Sequence, residues 1–318
     1  MDVSTLIEEV RAGDRRGIAR AISMVEDDSE GLPELSRGLF AHTGRAHTIG
    51  LTGSPGVGKS SLTEQLVRAA RARERGVAVL AIDPTSPFTG GALLGDRLRM
   101  QSHATDPEVF IRSMATRGHL GGMALAAPEA IRILDAAGKD VVFVETVGVG
   151  QAEVQVASAT DTTLVVVAPG WGDAVQVSKA GILEIADVFV VNKADRDGAT
   201  EAARDLEQMI GMGPALEWTP PIIPTSAANA EGIDELWEAI EGHRKHLDAS
   251  GTLQRRRRER LAEELEDMVS LRLRRRVADL LEGELEAVAD DVAERRIDPY
   301  EAAGILLERV RGTGRDGA

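Results

Sequence analysis

Cysteine is absent from the 318 residues of this chain, which excludes disulfides, zinc ribbons and thiol nucleophiles together. Aromatic side chains are scarce at 3%, so a core has to be built from Val, Leu, Ile and Ala, and the 43% hydrophobic content suffices for one. Positive charge is in deficit: 37 Lys and Arg stand against 52 Asp and Glu, a formal net charge of -15. That balance disfavours a broad nucleic-acid or anionic-membrane surface and leaves only a local basic patch open. No apolar run approaches the roughly 18 residues of a membrane span. The N-terminus carries Asp2, Glu8 and Glu9, where a signal peptide would be basic and then apolar. The expectation is a soluble cytoplasmic protein with neither nucleic acid nor membrane among its partners. The length suits one large domain with attachments, or two ordinary domains.

Residues 1–45 read as a helical extension, with Leu6, Val10, Ile18, Ile22 and Val25 recurring at three- and four-residue steps between charged residues. The texture then changes. Short apolar runs at 47–52, 77–82, 141–144, 164–168 and 188–191, with a weaker one at Ile222 and Ile223, are continuous rather than alternating. Such runs suit strands buried on both faces of a parallel sheet. Helical patterns at 62–75, 126–137, 175–185, 200–209 and 233–247 separate them, which predicts an α/β doubly wound domain over 46–248. Past Ser250 and Gly251 the strands stop. Residues 249–318 read as two further helices, one long with the basic start 255–258, the other opened by Asp298-Pro299-Tyr300-Glu301.

The chemistry is concentrated in three places. Gly53-Ser54-Pro55-Gly56-Val57-Gly58-Lys59-Ser60 satisfies the whole phosphate-loop pattern, and Ser61 follows it. Glycines let backbone N–H groups turn inward around phosphates at a helix N-terminus. Lys59 would reach the β- and γ-phosphates, and the Ser60 hydroxyl would ligate Mg²⁺. Downstream of an apolar run stands Asn192-Lys193-Ala194-Asp195. In phosphate-loop GTPases such a loop reads guanine, whose edge offers two N–H donors to the Asp195 carboxylate, a pair that adenine lacks. Thr225-Ser226-Ala227-Ala228 would touch the base through backbone N–H groups.

Between these lies 141–148, an apolar run ending in Glu145 with Gly148 three residues later, the arrangement of a metal-side carboxylate and a second switch. Many GTPases carry Asp where this chain has Glu145. The longer side chain suits either holding Mg²⁺ through a water or orienting the attacking water. Val149 stands where the small-GTPase pattern has a water-orienting Gln, and Gln151 is the candidate substitute. Slow intrinsic hydrolysis, accelerated when a partner completes the site, is the expectation. Asp83, which ends the second apolar run, and Asp96, within the glycine-rich loop 84–100, are candidate metal-side carboxylates. The bland alternatives are a turn cap for Asp83 and a solvated loop charge for Asp96. The six histidines do not cluster at ligand spacing, and the arginine run 255–258 reads as a solvated helix face.

Together these residues resemble the MeaB/ArgK family of phosphate-loop GTPases. The match takes in 53–61, 83–97, the run Glu145 to Gln151, 169–173 and 192–195, and the helical extensions at both ends look alike. The resemblance implies a SIMIBI-class GTPase with a mostly parallel sheet, binding GTP or GDP with Mg²⁺, and a homodimer joined through the C-terminal arm. It implies as partner an adenosylcobalamin-dependent acyl-CoA mutase, methylmalonyl-CoA mutase foremost, for which family members act as G-protein chaperones. They gate cofactor delivery and protect or reactivate the mutase. Residues 168–179 match a third switch loop, with Asp173 and Lys179 as candidate relays. The competing readings are a GTP/ATP-dependent kinase or ATPase linked to lysine/arginine/ornithine transport, the kinase needing an acceptor pocket, and a nickel-insertion GTPase, which would need a His- or Cys-rich cluster.

Overall fold

A computed structural model describes residues 2–84, 103, 105–116, 122–146, 156, 158–170, 184–213, 217–281 and 283–313. The chain divides into two compact units, residues 1–261 and 262–318.

Three short helices come first: α1 (Val3–Arg11), α2 (Arg15–Glu26) and α3 (Leu32–Phe40). Their starts are written in the sequence. The Asp2 carboxylate accepts from the Ser4 N–H at 3.1 Å and that of Asp14 from the Gly17 N–H at 2.6 Å, each satisfying an orphan first-turn donor. Pro33 stands in the first turn of α3, where no N–H is needed. Leu6, Val10, Ile18, Ile22 and Val25 are all buried, as the periodicity predicts.

The strands are β1 (His47–Thr52), β2 (Val77–Pro84), β3 (Val109–Thr116), β4 (Val141–Thr146), β5 (Thr162–Val167), β6 (Val188–Asn192) and β7 (Ile222–Thr225). They form a seven-stranded sheet in the order β3-β2-β4-β1-β5-β6-β7, with every described pairing parallel. Helices α4 (Lys59–Ala72), α5 (Gly122–Ala136), α6 (Ala199–Met212) and α7 (Ile233–Ala249) separate them. Successive strand residues feed opposite layers. Ala78, Leu80, Val142 and Val144 pack with α1–α3 and α5, whereas Val77, Val79, Val141 and Phe143 pack with α4 and α7. Burial on both faces is why the runs are apolar without alternation. After β1 the chain passes to β2 on one side, and after β4 it crosses to β5 on the other. The switch point, where parallel sheets bind ligands, therefore falls at the carboxyl end of β1.

Two elements are not visible in the sequence pattern. Strand β3 is one, because Arg112 and Ser113 interrupt its apolar run. Arg112 turns to α2, where its guanidinium donates to the Ala19 carbonyl at 2.9 Å and the Ser23 hydroxyl at 2.8 Å and pairs with Glu26. The other is in the C-terminal region, where the described residues form three helices instead of two: α8 (Thr252–Leu280), α9 (Glu284–Ala293) and α10 (Pro299–Thr313). Helix α9 is short, and acidic residues stand between its apolar Leu285, Val288 and Val292. The α10 start is as expected, with the Asp298 carboxylate accepting from the Tyr300 N–H at 2.7 Å and the Glu301 N–H at 3.2 Å. Within the second unit Val288 and Ala302 are buried, and Arg309 bonds Glu284 at 2.5 Å. The expected helix over 175–185 falls largely on residues outside the described ones.

The arginine run corrects the expectation of a purely solvated face. Arg255 and Arg258 are exposed, but Arg256 and Arg257 turn inward with Arg260. Asp161, buried just ahead of β5, takes Arg257 at 2.5 Å, Arg260 at 2.6 Å and Arg244 at 3.3 Å. Arg257 also donates to the Gly44 and Ala46 carbonyls at 2.6 and 2.9 Å, and Arg256 reaches Asp187 at 3.1 Å. The cluster lies at the amino ends of β1, β5 and β6, opposite the sheet edge that carries the phosphate loop. Burial raises the pKa of Asp161, but the Arg257 bonds and the charges of Arg260 and Arg257 outweigh it and hold the carboxyl well below the usual range.

Candidate functional site

The first wall of the site grows from β1. The chain leaves Thr52 through Gly53, whose φ is +136° and whose position leaves no room for a side chain: a Cβ there would stand 2.1 Å from the Val166 carbonyl oxygen of β5. Gly56 and Gly58 also take positive φ, at +79° and +96°, which favours glycine. The loop of Ser54, Pro55, Gly56 and Val57 then enters α4 at Lys59, so Lys59, Ser60 and Ser61 form the first helical turn. The expected helix at 62–75 thus begins earlier than its apolar pattern, because the loop itself supplies the start. The first turn of a helix is a favourable place for an anion, and α4 begins where the phosphate loop ends. Lys59 is buried, and its ammonium lies along the loop, donating to the Gly53 carbonyl at 2.6 Å and the Ser54 carbonyl at 3.1 Å.

The second wall is the end of β4. Parallel register sets Glu145 beside Leu51 of β1, a few residues short of the loop. Its carboxylate is buried and accepts from the Ser60 hydroxyl at 2.6 Å through Oε1 and from the Thr63 hydroxyl at 3.2 Å through Oε2. Thr63 belongs to no motif, so the sequence alone does not single it out. It stands three residues past Ser60 on the same helix, and the helical period alone places both hydroxyls on one face.

The third wall is made by the ends of β6 and β7. Asn192 closes β6 in register with Thr225. Its amide nitrogen donates to the Val57 carbonyl of the phosphate loop at 2.8 Å, and its amide oxygen accepts from the Ala227 N–H at 3.1 Å and the Thr225 hydroxyl at 3.3 Å. A Cβ on Gly58 would stand 2.5 Å from that amide nitrogen. Lys193, at φ +60°, donates to the Gly56 carbonyl at 2.6 Å. Asp195 is exposed, and the Ser226 hydroxyl donates to its Oδ1 at 2.6 Å. That bond is the foremost reason its pKa lies below the ordinary carboxylate value, so the carboxylate is an ionised acceptor at neutral pH. Ser226, Ala227 and Ala228 follow β7 directly, and the Ala194 N–H bonds the Thr225 carbonyl at 2.9 Å.

Three walls thus meet at the carboxyl end of the sheet, the second joined to the first through Ser60 and Thr63 and the third through Asn192 and Lys193. Asp83 lies in β2, in register with Ala115 of β3, and its side chain is outside the described residues. Asp96, Gln151, Val149, Asp173 and Lys179 also fall outside them. Among the described residues no group of three or more His, Asp or Glu side chains is arranged to hold a metal. The oxygens of Ser60 and Glu145 are the donor type of a Mg²⁺ ion that takes its remaining ligands from phosphates and water. No described helix is long and apolar enough to cross a membrane.

Comparison with known proteins agrees with the arrangement. The family described as "Methylmalonyl Co-A mutase-associated GTPase MeaB" matches residues 18–281. A Pyrococcus abyssi protein whose name places it among GTPases is 49% identical over 98% of this chain and 98% of its own. GTPase ArgK of Escherichia coli is 39% identical, over 81% of this chain and 80% of its own. The mitochondrial methylmalonic aciduria type A homolog of Caenorhabditis elegans is 35% identical over 82% and 70%. Among solved structures, one described as an LAO/AO transport system kinase superposes with a TM-score of 0.73 at 28% identity, covering 97% of each chain. Sequence motifs, sheet topology and relatives coincide: the chain is a phosphate-loop GTPase and belongs to the MeaB family.

Proposed function

We propose that this GTPase is a chaperone of an adenosylcobalamin-dependent acyl-CoA mutase, methylmalonyl-CoA mutase foremost. It binds and hydrolyses GTP to gate cofactor delivery and to protect or reactivate the mutase. The observation that carries the reading is the family match over 18–281, whose description names that mutase. The Caenorhabditis elegans relative, named for methylmalonic aciduria, supports the same link.

In this reading Asp195, held ionised by Ser226, selects guanine, and Asn192 and Lys193 keep its loop against the phosphate loop. The N–H groups of 53–61 cradle the phosphates, and Lys59 leaves the Gly53 and Ser54 carbonyls to meet the β- and γ-oxygens. Bound Mg²⁺ would neutralise the developing phosphate charge; Ser60 and Glu145 would hold it, with Asp83 and Asp96 as further metal-side carboxylates. Glu145, Asp83 and Gln151 are the groups proposed to position the attacking water.

The homodimer proposal has its own support. On α8, Leu265, Val269 and Leu273 recur every four residues and are 61%, 55% and 59% exposed. A continuous apolar helix stripe of this kind suits a second copy.

The test pairs the purified protein with adenosylcobalamin-dependent methylmalonyl-CoA mutase. The expected result is slow GTP hydrolysis alone, faster hydrolysis with the mutase, and co-purification that depends on nucleotide. Lys59→Ala should abolish hydrolysis in both cases while the protein stays folded. Unchanged hydrolysis together with no nucleotide-dependent complex would overturn the chaperone reading. A second reading, a kinase of a transport system, draws on the description of the solved relative at 28% identity. It requires that radiolabelled GTP pass its phosphate to an amino acid or protein faster than to water.

A further inference from the structure

Thr63 lies on α4 three residues beyond Ser60 and is fully buried. Its hydroxyl stands 3.2 Å from Glu145 Oε2, while the Ser60 hydroxyl stands 2.6 Å from Oε1. One face of one helix therefore supplies a hydroxyl to each oxygen of the same carboxylate. The terminal torsion of a Glu side chain is broad and soft, so a carboxylate gripped at one oxygen still swings. A second donor on the other oxygen removes that freedom.

The ordinary duty of a helical Thr is to bond the carbonyl four residues back, and the Lys59 carbonyl is indeed 3.0 Å from the Thr63 hydroxyl. The hydroxyl has one proton for two acceptors. The Lys59 carbonyl is a neutral amide oxygen that already lies in the helical hydrogen-bond series. An ionised carboxylate accepts charge-assisted bonds, which are about twice as strong as neutral ones. The proton is therefore drawn to Glu145. The branched Thr side chain adds stiffness, because its Cβ substituents limit the rotamers open to it within a helix.

We propose that Thr63 is a positioning residue: it fixes the plane of the Glu145 carboxylate so that Oε1 faces Ser60 and the Mg²⁺ position. It touches neither nucleotide nor metal and acts through Glu145. The inference rests on the reading of Ser60 and Glu145 as the metal side of the site.

The experiment measures the affinity of a fluorescent GTP analogue across a Mg²⁺ titration and in excess EDTA, for wild type, Thr63→Val, Thr63→Ser and Glu145→Gln. Thr63→Val keeps the shape and loses the donor. It should raise the Mg²⁺ concentration for half-maximal tightening by about tenfold, leave affinity in EDTA unchanged, and be restored by Thr63→Ser. Combined with Glu145→Gln it should add no further shift, because both changes act on one group. A wild-type Mg²⁺ dependence in Thr63→Val, with Glu145→Gln shifted, overturns the role of Thr63 and leaves the metal reading standing. A wild-type Mg²⁺ dependence in Glu145→Gln overturns the metal reading, and the role of Thr63 with it. A loss of affinity in Thr63→Val that is equal in EDTA and in Mg²⁺ marks a packing defect and also overturns the proposal.

Discussion

Asn192 donates to the Val57 carbonyl at 2.8 Å and accepts from the Ala227 N–H at 3.1 Å. One buried side chain from the end of β6 thereby joins the phosphate loop to the loop after β7. An amide suits the post because it offers donors and an acceptor on one rigid plane.

Replacing Asn192 with Ala leaves the Ala227 N–H and the Val57 carbonyl without this partner. The expected loss is about 3 kcal/mol of stability, together with weaker GTP binding because the two loops lose their common strut. Urea denaturation with and without GTP checks it. A variant of wild-type stability and affinity would show that the bridge contributes nothing.

Asp195→Asn exchanges an acceptor for a donor at the proposed guanine edge. Affinity for GTP should drop by at least about tenfold, the scale of one lost charge-assisted bond, and xanthosine nucleotides should bind better than to wild type. Competition binding with GTP and XTP measures both. Unchanged GTP affinity would remove guanine recognition from this loop.

Asp161 is buried among Arg244, Arg257 and Arg260. Asp161→Ala strands their charges and should cost about 3–5 kcal/mol. Arg257→Ala should cost less, since Asp161 retains two arginines. The folded carboxyl has a pKa well below its ordinary value. Its contribution is therefore complete above the unfolded-state value near 4 and fades as pH falls through the lower folded value. Acid unfolding curves for the two variants should show the larger loss for Asp161→Ala.

His47 gives a second pH dependence of known sign. Burial lowers its pKa to about 4, with the Asp161 charge opposing that shift and Arg244, His243 and Arg257 adding to it. In the unfolded chain a His titrates near 6.5. Between those values the unfolded state binds the extra proton and the folded state does not, so stability rises with pH across that window. The loss from about pH 7 to about pH 5 should be roughly 2 kcal/mol. His47→Gln, which keeps a polar group beside Thr162, should flatten the slope by that amount in guanidinium melts. An equal slope in both proteins would assign the dependence to other groups.

Much of the site was legible because its demands are local. A backbone that turns around phosphates needs Gly56 and Gly58 within one short stretch, and a helix must begin at Lys59 to set its N-terminus against them. The apolar runs of β1, β2, β4, β5 and β6 were legible for a related reason, since a strand buried on both faces leaves no polar alternation. Strand β3 was not, because its Arg112 is explained only by α2, which lies far from it along the chain. The inward turn of Arg256 and Arg257 was equally hidden. A run of arginines looks alike whether it faces water or two buried aspartates.

The sequence by itself determined the nucleotide chemistry, the parallel sheet and the N-terminal helices, because loop stereochemistry, strand burial and helix capping act over a few residues. Only the tertiary structure decided that Thr63 and Ser60 share the Glu145 carboxylate, that Asn192 bridges two loops, and that Asp161 gathers three arginines. Each of those contacts joins residues tens of positions apart. Its partners are chosen by sheet order and register, which no local pattern encodes.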